Sequence, residues 1–140
     1  MRIEPGEPAF DPAAWKAGDG DVHFRRGVEL FDAAEYEAAH EEFEALWLST
    51  QGAESDFYKG LIQACIALHH FRRGNLAGAA KLYSGHRRCL AAYLPAHRGL
   101  DLVRFLAQMQ ATLGPVLRRA PDQAVPFDPD TRPRLAPPAT

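Results

Sequence analysis

The sequence predicts an all-α fold, a compact antiparallel helical bundle of about five helices with tetratricopeptide-like helical hairpins. Three observations predict it. Apolar residues recur at i, i+3, i+4 and i+7 through most of residues 21–119. Short breaks carrying Gly, Asn or Asp separate these stretches, as helix stops and caps do. One opening pattern also occurs twice, as Glu35-Tyr36-x-x-Ala39 and as Asn75-Leu76-x-x-Ala79. Gly27 and Gly60 then mark the preceding helix of each unit, provided the second unit's first helix is about two turns longer. Two such units are too few for a solenoid, which favours a closed bundle.

Taken in order, residues 1–20 hold Pro and Gly and read as an extended arm that Phe10 and Trp15 could pin to the body. The first solid helix starts at Asp19 or Asp21 and runs to about Ala33, with Phe24, Gly27, Val28 and Phe31 on one stripe. The second covers about Tyr36 to Ser49, with Tyr36, Ala39, Phe43, Leu46 and Trp47 as its apolar face and Gln51-Gly52 at its end. The third, about Glu54 to Arg73, is apolar nearly all round and is expected to be buried among neighbours. Gly74 stops it, and Asn75 caps the fourth, whose face is Ala79, Leu82, His86, Leu90 and Tyr93. The fifth begins at the Asp101 cap and runs to Leu113, closed by Gly114-Pro115. Residues 120–140 are a Pro-rich tail, either a wrapping arm or disordered.

Composition bounds the function. With 46% hydrophobic residues and 24% charged ones, the chain reads as a soluble globular domain of residues 21–119. The amino terminus lacks an apolar signal core, and the longest apolar run, Leu61 to Leu68, is too short to span a bilayer. Cys65 and Cys89 are isolated thiols, so the expectation is a cytoplasmic protein without membrane contact. The net charge of −2 conceals an acidic first part, residues 1–58, and a basic stretch, residues 59–119. Either the halves neutralise each other by packing, or the surface is bipolar and suits a charged protein partner or head-to-tail self-association. Basic pairs such as Arg87-Arg88 lack interleaved aromatics, which argues against nucleic acid.

Chemistry concentrates on the second helix. Glu37, His40, Glu41 and Glu44 fall at i, i+3, i+4 and i+7 and share one stripe. Carboxylates so spaced repel one another unless a metal ion, a protonated His or an Arg faces them. The third helix offers Gln63 and His70 on one stripe, and buried polar groups need partners. The simplest arrangement sets Gln63 and His70 against His40 and Glu44, with Trp47 and Asn75 in support. Such a cluster supports three readings. It is a satisfied structural network, a site for one divalent ion (Zn, Mn or Fe) on His40, Glu44 and His70 with Glu37 or Glu41, or a site that activates a water. Whether the chain is an enzyme stays open, since no phosphate loop, nucleophile elbow or reactive-cysteine motif is present. His86 lies on an apolar stripe and reads as a core histidine.

These residues resemble the domain of unknown function 309 family of bacterial and archaeal proteins. The matching pieces are Phe24-x-x-Gly27-x-x-Leu30-Phe31, Tyr36-x-x-x-His40-Glu41-x-x-Glu44-x-x-Trp47, Gly60-Leu-Ile-Gln63, His70 and Gly74-Asn75-x-x-Gly78-Ala79, over about residues 22–94. The resemblance implies a small all-helical fold and a motif suspected of binding metal, here His40, Glu41, Glu44 and His70. It implies no particular activity. The family often has Glu two residues before the motif His, where this chain has Ala38.

Overall fold

The computed structural model describes residues 19–136; the arm expected over residues 1–20, with Phe10 and Trp15, lies almost wholly outside them. Five α-helices make up the body: α1 (Asp19–Asp32), α2 (Tyr36–Ser49), α3 (Ser55–Arg72), α4 (Leu76–Leu90) and α5 (Leu102–Leu117). Between α4 and α5 a two-stranded antiparallel hairpin, β1 (Ala96–His97) and β2 (Leu100–Asp101), turns on Arg98 and Gly99. No helix of the described residues is long and apolar enough to cross a membrane.

The two helical hairpins are built by one turn used twice. At the end of α1, Glu35 N–H donates to Leu30 O at 2.8 Å and Ala34 N–H to Phe31 O at 2.9 Å. At the end of α3, Asn75 N–H donates to His70 O at 2.8 Å and Gly74 N–H to Phe71 O at 3.0 Å. Both are Schellman turns, which satisfy the last carbonyls of a helix by passing one residue through the left-handed region. Gly74 does this at φ 84°, and Ala34 at φ 63°. Asn75 Oδ1 accepts Gly78 N–H at 3.0 Å, the cap expected from sequence, whereas Glu35 makes no side-chain cap.

Helices pack in chain order, α1 on α2, α2 on α3, α3 on α4 and α4 on α5, so α3 lies between α2 and α4. Small residues allow the crossings. A Cβ on Gly27 would stand 2.5 Å from Phe43 Cε1, and one on Gly60 2.7 Å from Leu90 Cγ. Gly27 precedes its turn residue Ala34 by seven positions and Gly60 precedes Gly74 by fourteen, the two-turn difference that the repeat requires. The core is aromatic and aliphatic, with Phe31, Tyr36, Phe43, Phe57, Phe105 and Met109 fully buried. Phe105 of α5 meets Phe31 of α1 edge-on at 5.6 Å, so α5 also ties back to the first hairpin.

Two differences from the sequence expectation have clear causes. Helix α5 runs through Pro115 to Leu117 rather than stopping at Leu113. Proline removes one helical hydrogen bond, but continuing the helix buries Val116 completely, and that burial outweighs the lost bond. Trp47 is 37% exposed rather than part of the apolar face, because Phe43 and Leu46 already occupy the side of α2 that meets its neighbours.

Residues 121–136 pack back over the bundle. Phe127 fits between Tyr36 and Phe71, with ring centroids 6.3 and 5.4 Å away, and Leu135 is 1% exposed.

Candidate functional site

Helix α2 holds the chemistry-bearing residues because its period places two faces back to back. Tyr36, Ala39, Phe43 and Leu46 point into the core, while Glu37, Glu44, Trp47 and Leu48 are exposed. His40 lies on the boundary with its side chain 29% exposed, and its Nε2 is 3.5 Å from Glu44 Oε2 one turn along. Between partners as exposed as these, an i,i+4 ion pair contributes only a few tenths of a kcal/mol, about 0.3–0.5.

The third helix meets α2 through a different residue than expected. His69, not His70, faces α2, and its Nε2 is 3.3 Å from Glu37 Oε1. Burial holds the His69 imidazole below its ordinary value, against the pull of Glu37. His70 lies toward the second turn, where Asn75 Nδ2 donates to its Nδ1 at 3.2 Å. Gln63 faces α4. A Cβ on Gly85 would stand 2.5 Å from Gln63 Oε1, and Cys89 Sγ lies 3.7 Å from that oxygen. The arrangement that set Gln63 and His70 against His40 and Glu44 is therefore replaced by separate local contacts. The cause is that α3 is sandwiched, so residues 63 and 70 belong to its α4 side and residue 69 to its α2 side. Among the described residues no group of three or more His, Cys, Asp or Glu could hold a metal ion.

Sequence reasoning missed Glu42. It is wholly buried, and His23 Nδ1 donates to its Oε1 at 2.6 Å, joining α1 to α2. Its signal was available: Glu42 stands three residues after Ala39 and four before Leu46, on the core stripe.

A second cluster joins the β-hairpin to α1 and α3. Arg98 donates from Nη2 to Asp21 Oδ1 and from Nη1 to Tyr58 Oη, each at 2.6 Å, and its guanidinium lies 4.4 Å from the Phe24 ring centre. His97 Nε2 donates to Glu54 at 2.7 Å with its ring against Phe57 and Tyr93. Beside it runs an open groove of about 350 Å³ lined by Asp21, Phe24, Arg25, Val28, Leu100 and Ala136. Asp21 is already engaged by Arg98, so the groove walls are chiefly apolar.

Fold and site together define a small protein of paired helical hairpins carrying a His/Glu/Trp stripe on its second helix. Residues 24–82 match the family model of the domain of unknown function DUF309. The chain is similar to the uncharacterized protein YpuF of Bacillus subtilis, 36% identical over 90 residues, which are 60% of this chain and 50% of that protein. It is also similar to an uncharacterized protein of Aquifex aeolicus, 32% identical over 97 residues, 64% of this chain and 29% of that one. The chain thus spans half or less of the length of these curated relatives.

Proposed function

We propose that this protein is a docking module whose contact surface is the outer stripe of α2, and that it takes a cationic, amphipathic partner. One observation carries the reading: Trp47 and Leu48 are 37% and 50% exposed side by side at the end of a stripe whose charges, Glu37 and Glu44, are all negative. An exposed indole is a large, rigid anchor, and the carboxylates around it select a partner by sign. The histidines that could neutralise this face pair weakly at its edges. The free thiols of Cys65 and Cys89 suit a reducing, cytoplasmic setting.

The competing reading places one divalent ion on His40 and Glu44 with Glu37, Glu41 or His70, or a small ligand at the same face. It draws on residue type and helical spacing, and on the 3.5 Å approach of His40 to Glu44. Two ligands fall short of the three or four that such ions take from proteins.

The test is a fluorescence-polarisation titration with a labelled amphipathic helical peptide bearing Lys and Leu, and with its Glu-bearing counterpart. The basic peptide should bind at low salt, and Glu44→Gln/Trp47→Ala should weaken it about tenfold, about 1.4 kcal/mol, with the circular dichroism unchanged. Equal binding by the variant would overturn the docking reading. Stoichiometric Zn²⁺, Mn²⁺ or Fe²⁺, lost in His40→Ala, would establish the metal reading in its place.

A further inference from the structure

We propose that the partner of the α2 stripe is the outer face of α4 on a second copy of this chain, so that copies join head to tail. The proposal rests on the docking reading of α2 and adds the identity of the occupant.

Charge complementarity is the first argument. Helix α2 carries four carboxylates and no Lys or Arg, whereas α4 carries Lys81, Arg87 and Arg88 and no carboxylate. The exposed residues of α4 include Ala77, Lys81, Ser84 and Arg88, at i, i+4, i+7 and i+11. This face is cationic with the small residues Ala77 and Ser84 alternating with its basic ones, so Trp47 and Leu48 of a second copy would meet small side chains beside Lys81 and Arg88.

Register is the second. The turns before α2 and α4 are the same motif, forty residues apart, so Glu37, Glu44, Trp47 and Leu48 correspond position by position to Ala77, Ser84, Arg87 and Arg88. Equivalent surfaces of the two hairpins are therefore unlike in sign and bulk, acidic and aromatic on one, basic and small on the other.

Placement is the third. Helices α2 and α4 lie on either side of α3, so the two faces of one molecule cannot neutralise each other. Between molecules they can. Because the contact joins two different faces, it leaves one of each unused and repeats, giving a ring or an open chain rather than a two-fold dimer.

Analytical ultracentrifugation of the full chain tests this. In low salt the mass should rise with concentration past that of a dimer, and about 0.5 M NaCl should return it to monomer as the charges are screened. Two variants each remove one face: Glu44→Gln/Trp47→Ala on α2 and Lys81→Gln/Arg88→Gln on α4, all surface positions. Each alone should remain monomeric, and the two mixed should form a 1:1 dimer that grows no further. A monomeric wild type, a mass that stops at two identical chains, or variants that do not pair on mixing would each overturn the proposal. If the wild type is monomeric yet binds the basic peptide through Trp47, self-docking fails while the α2 docking reading stands. If association persists in the α2 variant and the basic peptide binds variant and wild type equally, both fail together.

Discussion

Asp32 holds Leu135 in place. Its Oδ1 accepts the Leu135 backbone N–H at 2.6 Å, its Oδ2 accepts Ala136 N–H at 3.1 Å, and its carbonyl accepts Arg132 Nη2 at 2.8 Å. With Arg132 Nε also donating to its carbonyl at 3.3 Å, one residue at the end of α1 thus satisfies four donors of the C-terminal segment. Asp32→Ala should destabilise the protein by about 1–3 kcal/mol, since it strands two backbone donors near the buried Leu135 side chain. Urea unfolding measures the loss, and faster tryptic cleavage after Arg134 would show that the arm has come away. Unchanged cleavage would mean that Phe127 and Leu135 hold it without Asp32.

His86 makes stability depend on pH. The imidazole is fully buried, and its Nδ1–H donates to Tyr83 O. Burial pushes its pKa down to about 4. The unfolded chain takes up this proton near its ordinary value of about 6.5, so stability falls as the pH drops from there through 4, by about 3 kcal/mol in all. Above pH 7 the residue contributes no slope. Comparing wild type with His86→Met across pH 4–8 should show the acid loss reduced in the variant; parallel curves would assign it to carboxylates.

The twin turns predict opposite effects for mirrored substitutions. Ala34→Gly relieves a left-handed alanine and should stabilise by about 0.5–1 kcal/mol. Gly74→Ala should destabilise by about 1 kcal/mol. No atom lies within 4 Å of the added Cβ, so the loss comes from backbone conformation alone. Thermal melts of the two variants and of the double variant check both signs.

Arg98 ties the β-hairpin to α1 and α3 through a planar fork and a ring face. Lysine can reach one of these partners but not all three. Arg98→Lys should lose most of what Arg98→Ala loses, about 1–2 kcal/mol after allowance for the exposed Asp21. Equal stability of the lysine variant and wild type would show that charge alone suffices.

How much of this was legible depends on the kind of signal. The helix starts and the caps were, because Asn75, Gly74 and Asp101 act through local chemistry: Asp101 Oδ1 accepts Arg104 N–H at 3.0 Å as a cap should. The neighbours of α3 were not. A helix apolar nearly all round carries no mark of which helix each stripe meets, so Gln63 and His70 could be set against α2 when the fold turns them to α4 and to the second turn. Pro115 misled for a related reason: the burial that keeps α5 going belongs to Val116, and tertiary packing outweighs a local stop. The buried pairing of Glu42 with His23 joins two helices and could be suspected only from its place on the α2 core stripe.

The clasp between α1 and the arm joins residues 103 positions apart. Closing so long a loop is entropically opposed until the intervening helices have paired and shortened the effective distance. The clasp is therefore expected to form late in folding, after the transition state. Weakening it should leave the refolding rate nearly unchanged and speed unfolding instead. In kinetic terms Asp32 acts as a latch on the way out of the native state, and stopped-flow traces of Asp32→Ala would register it in the unfolding limb alone.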